Sequence, residues 1–89
     1  MLVRDQANRV VVSLPAGSNG DRIWRTERDD GSDPQPFGHL TALGKGRYRF
    51  TGQRADTAPM TGRDGNEADL LTDIVRAVGG GFPVGPVVF

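Results

Sequence analysis

Two rhythms run through the apolar positions of the chain. From Arg47 to Thr51, "RYRFT", polar and apolar residues alternate one by one, the period of a half-buried strand. From Asn66 to Val78, "NEADLLTDIVRAV", Leu70, Leu71, Ile74, Val75 and Val78 recur at three- and four-residue spacing, which predicts a helix with one apolar stripe. Asn66 is placed to cap its first turn, Glu67 and Asp69 suit the positive helix start, and Gly79 supplies a left-handed stop.

Upstream, "RVVVSL" (Arg9–Leu14) is β-branched and reads as a strand, broken by Pro15 and by "AGSNGD", where Asn19-Gly20 signals a turn. "RIWRTER" (Arg22–Arg28) predicts a second strand, followed by the loop "DDGSDPQP". "GHLTAL" (Gly38–Leu43) predicts a third, joined to the strand Arg47–Thr51 by a tight turn at Gly44–Gly46. Residues 52–65 show no periodicity and read as a mobile loop. The tail "GGGFPVGPVVF" is apolar but cannot be helical across Pro83 and Pro86.

These elements predict one α+β domain over residues 1–89. An antiparallel meander of three to four strands (about 9–51) is followed by the loop 52–65, a covering helix (about 66–78) and an extended apolar tail (79–89). One helix covers one sheet face. The expected inward set is Val10, Val12 and Leu14, then Trp24, Leu40 and Ala42, then Tyr48 and Phe50, with Leu71 and Val75 from the helix. Turning Ile23 inward instead of Trp24 would carry Arg25 and Glu27 with it. Burying an unpaired charge costs on the order of several kcal/mol, so the Trp24 register is expected.

Composition narrows the chemistry. Cysteine is absent, which removes disulfides and thiolate catalysis. No apolar run approaches the ~18 residues of a membrane span, so a soluble cytoplasmic protein without a membrane partner is expected. Net charge is zero but unevenly spread along the chain. Residues 1–28 and 45–63 are net basic, and residues 29–44 and 64–89 are net acidic. Segregation of this kind permits local attraction to a charged partner.

The face without a helix is expected to carry Arg9, Arg25, Glu27, His39, Thr41, Lys45, Arg47 and Arg49. Of these, Arg25, Lys45, Arg47 and Arg49 are candidate nucleic-acid contacts, since guanidinium groups offer paired donors to phosphates and guanine edges. His39 is the single histidine, and no serine stands in a nucleophile-elbow motif, so neither a triad nor a zinc site is expected. Asp29, Asp30 and Asp33 read as turn chemistry. "DGNEAD" departs from a calcium loop, and "GSNG" and "GGG" lack the rest of a phosphate-binding motif. No cofactor and no enzymatic activity are expected. Phe82, Val84, Val87, Val88 and Phe89 form a second candidate surface, for the chain's own sheet edge, a second copy or a protein partner.

An "IWR" strand, then "FGHL", a glycine turn, "GRYRF" and an amphipathic helix ending near Gly79 resemble AP2-like domains and the related N-terminal modules of phage-type integrases. That resemblance implies a three-stranded sheet backed by one helix, with DNA bound on the sheet face through Arg25, Lys45, Arg47 and Arg49. The expected function is therefore a small non-enzymatic binding protein with nucleic acid as partner. The alternative is a protein–protein adaptor or small inhibitor acting through the tail or the acidic helix.

Overall fold

The computed structural model describes residues 3–79 and the pair Phe82–Pro83. Six strands, β1 (Val3–Arg4), β2 (Val10–Pro15), β3 (Arg22–Glu27), β4 (Gln35–Gly44), β5 (Arg47–Gly52) and β6 (Asp64–Asn66), form an antiparallel meander curled into a half-barrel. Helix α1 (Glu67–Ala77) follows, and Phe82–Pro83 adds a short β7 beside β1, giving the order β6-β5-β4-β3-β2-β1-β7. An α+β meander is thus present with more strands than the sequence pattern suggests. β1, β6 and β7 are only two or three residues long, too short to show a period.

Helix α1 begins as its sequence implies. Asn66 is extended, its side chain accepts from the Asp69 amide at 2.8 Å, and Gly79 ends the helix at a φ of 87°. Leu70, Ile74, Val75 and Val78 are buried against Trp24, Phe37, Leu40 and Phe50, while Leu71 and Tyr48 pack half-buried at the margin. Trp24 is the hub, with ring centroids 5.6 Å from Phe50 and 6.5 Å from Phe37.

Two expectations are corrected. On β2 the inward residues are Val11 and Ser13, while Val12 and Leu14 face outward. Pairing of Ser13 with Trp24 and of Val11 with Thr26 places those residues on the helix side. The run "VVV" is apolar at both parities, so its pattern could not choose; the inward hydroxyl of Ser13 is satisfied by Glu67. Arg9 likewise leaves the outer face, its Nε donating to the buried Thr26 hydroxyl at 3.2 Å.

The stretch 52–65 is also more than a loop. Thr57 is fully buried, its hydroxyl donating to the Phe37 carbonyl and accepting from the Arg54 amide. A 3₁₀ turn over Ala58–Met60 buries Met60, and Asp64–Asn66 pairs with β5 as the sheet edge. Phe37 enters the core through a bulge: Trp24 pairs with Gly38 and Arg25 with Pro36, leaving Phe37 as the extra residue.

Candidate functional site

The outer face gathers the expected cations only in part. Arg25 lies on β3 opposite Pro36 and is engaged by Glu27 of its own strand at 3.2 Å. Arg49 faces Thr41 on one side and Asp64 on the other, and holds the Asp64 carboxylate through two bonds of 2.9 and 3.1 Å. This fork raises the Arg49 pKa and lowers that of Asp64, the hydrogen bonds being the larger cause. Lys45 and Arg47 remain exposed, with no carboxylate at ion-pair distance among the described residues. The two free cations therefore sit together at the end of the β4–β5 hairpin, with Arg49 next along the strand. Arg25 stands apart at the other end of β4.

The hairpin end is built by local geometry. Gly44, Lys45 and Gly46 all have positive φ (89°, 56° and 75°), so the turn needs glycines at both flanks and tolerates lysine between them. The last β3–β4 pair is Arg22 with Leu40, so β4 runs on past its neighbour from Thr41 to Gly44. Leu43 on this overhang is 44% exposed. Asp21 fastens its base: Oδ1 accepts from the Ala42 amide at 2.8 Å, and Oδ2 lies 3.3 Å from His39 Nε2. The Ala42 amide is the main reason the Asp21 carboxyl titrates below its usual value. His39 thus belongs to the support of the hairpin.

A second polar group escaped the sequence reading. Glu67 Oε2 accepts from the Ser13 hydroxyl and from Trp24 Nε1 at 3.0 Å, and lies 3.2 Å from Arg22 Nε. Arg22 Nε also donates to Ser13 Oγ at 2.7 Å. One carboxylate oxygen serving these three groups fastens the first turn of α1 to β2 and β3. The signal available beforehand was the indole itself, because a buried Trp N–H requires an acceptor.

Of the tail candidates, Phe82 lies in β7, whose backbone pairs with β1. Val84, Val87, Val88 and Phe89 lie outside the described residues. Among the described residues no helix is long and apolar enough to cross a membrane. No family model, curated protein or solved structure matches the chain.

Proposed function

We propose that the chain is a small non-enzymatic binding module that meets nucleic acid with the end of its β4–β5 hairpin. The observation that carries this reading is the closeness of Lys45 and Arg47, neither with a carboxylate at ion-pair distance among the described residues, on a ribbon that outruns β3. A two-stranded ribbon fits a duplex groove, and uncompensated cations release counterions from phosphates. The DNA-binding role implied by the AP2-like layout is kept in this proposal, but the contact set contracts from four cations to Lys45 and Arg47. About two phosphate contacts give a log–log salt slope of about −2 on duplex DNA, with affinity in the non-specific range of roughly 10⁻⁴–10⁻⁶ M.

Fluorescence anisotropy of a labelled duplex across a salt series tests this. The double variant Lys45→Glu/Arg47→Glu is expected to lose binding at an unchanged melting temperature, since neither side chain packs in the core. Binding that survives the double change, or no binding by the native protein at low salt, overturns the proposal.

A protein-partner reading is favoured by a different observation. The outward turn of Val12 and Leu14 sets them beside Ile23, opening an apolar row on the face without a helix. An adaptor working through that row would bind with little salt dependence and no affinity for DNA.

A further inference from the structure

Asn19 and Gly20 lie exposed in the turn between β2 and β3, which the Ala16 amide closes on the Asp21 carbonyl at 2.9 Å. Gly20 has a φ of 90°, and among the described residues its amide donates to no acceptor. Glycine has no Cβ, so nothing on Gly20 shields its amide nitrogen from the carboxamide of the residue before it. That carboxamide is already polarised, because Asn19 Oδ1 accepts from the Asp21 amide at 3.1 Å. A donor so placed stabilises the negative charge that develops on Oδ1 when a nucleophile adds at Cγ.

We propose that Asn19 is a site of spontaneous deamidation, and that the product unfastens the base of the β4–β5 hairpin. The Gly20 amide nitrogen, its proton given up to hydroxide, bonds to Asn19 Cγ. The Cγ–Nδ2 bond then breaks, and Nδ2 takes a proton from water and leaves as ammonia. Water opens the resulting cyclic imide at either carbonyl. Opening at Cγ returns the main chain with an aspartate, and opening at the other reroutes the main chain through the side chain as isoaspartate. The balance is water in and ammonia out, with hydroxide regenerated.

The consequence lies in what Asn19 holds. Its Nδ2 donates to Asp21 Oδ2 at 3.2 Å, and Asp21 in turn accepts from the Ala42 amide at 2.8 Å and meets His39 Nε2 at 3.3 Å. Either product replaces the Nδ2 donor with a second carboxylate beside that of Asp21, and like charges this close repel. Isoaspartate also lengthens the main chain of the turn by a methylene. The turn has little slack there, since a Cβ on Gly20 would already stand 3.4 Å from the Ala42 Cβ. The other asparagines are set differently. Asn8 precedes Arg9, whose amide is held by Asp5 Oδ1 at 3.0 Å, and Asn66 caps α1 ahead of Glu67. This inference is independent of the nucleic-acid reading.

The test ages the folded protein in mildly alkaline buffer and maps its peptides by mass spectrometry, with isoaspartate labelled by an isoaspartate methyltransferase. Asn19 is expected to deamidate well ahead of Asn8 and Asn66, with isoaspartate among the products. Asn19→Gln, whose longer side chain closes the ring poorly, is expected to stay intact at that position. In the aged protein the Ala42 amide should exchange its hydrogen several-fold faster than in fresh protein, while the Phe50 amide, bonded to the Arg63 carbonyl at 2.8 Å, should not change. The Asp21 carboxyl, held low in part by the Asn19 side chain, should titrate at higher pH after ageing. Asn19 surviving as long as Asn66 overturns the proposal. So does deamidation that leaves Ala42 exchange unchanged, because the turn would then not fasten the hairpin.

Discussion

Gly38 and Gly52 face each other across β4 and β5, and both are packed too closely for a methyl group. A Cβ on Gly38 would stand 2.2 Å from Phe50 Cε1, inside a ring that is fully buried and wedged against Trp24. On Gly52 it would stand 2.2 Å from the Thr57 carbonyl oxygen, whose backbone is held by the hydroxyl bond to Phe37. Gly38→Ala and Gly52→Ala are each expected to cost about 1–3 kcal/mol, the range for forcing atoms into a filled core. Gly65→Ala, whose nearest neighbour would be Leu70 at 3.7 Å, should be close to neutral. Thermal melts of the three variants check this, and equal midpoints would contradict the packing. None of it could be read from the chain, because a glycine needed for room looks identical to one needed for a turn. The Gly44–Gly46 turn, by contrast, was legible because its glycines flank a strand with a clear two-residue period.

At the scale of elements, the helix and the β4–β5 hairpin were the legible parts, each carrying its own period and its own punctuation. Strand β2 was legible as a strand but not in its facing. Its parity is set from outside, by the pairing of Ser13 with Trp24 and by the Glu67 carboxylate that needs Ser13 inward. β6 escaped because three residues, "DGN", hold no pattern and become a strand only by pairing with β5. The helix stripe likewise looks uniform in sequence but is graded in space. Ile74 is completely buried at its centre, while Leu71 lies half-buried at its margin. Ile74→Ala is therefore expected to cost about 2–5 kcal/mol, as for an emptied core site, and Leu71→Ala distinctly less. Urea unfolding of the two variants gives the ordering. A larger loss for Leu71 would mean that the helix is rotated about its axis from the observed packing.

Over the whole molecule, the charge blocks of the sequence cancel in space. Acidic residues of the segment 29–44 meet the basic N-terminal part through Arg4–Asp29, Arg9–Asp33 and Arg28–Asp33, and the basic hairpin meets the next acidic block through Arg49–Asp64. Arg54 bridges Asp5 and Asp56 and stacks its guanidinium 4.7 Å above the Phe37 ring. What looked in one dimension like attraction to a partner is largely attraction between parts of the fold, which is why the candidate surface shrinks to the hairpin end. The same pairing predicts the acid limit of stability. Asp21 is held below its ordinary value of 3.8 chiefly by the Ala42 amide, Asp30 by the Ser32 hydroxyl, Asp56 by Arg54 and Asp64 by Arg49. A carboxylate whose folded-state pKa is depressed contributes stability above its unfolded value and loses that contribution as pH falls through the folded one. The urea midpoint should therefore stay level as pH falls from neutrality toward about 4 and decline only below it. A carboxyl-detected NMR titration should place the Asp64 midpoint under 3.8 in the native protein and higher in Arg49→Gln. An Asp64 midpoint indifferent to that substitution would show that the Arg49–Asp64 fork does not persist in solution. In that case Arg49 would rejoin Lys45 and Arg47 as a free cation of the hairpin, and the salt slope on duplex DNA should steepen from about −2 toward about −3.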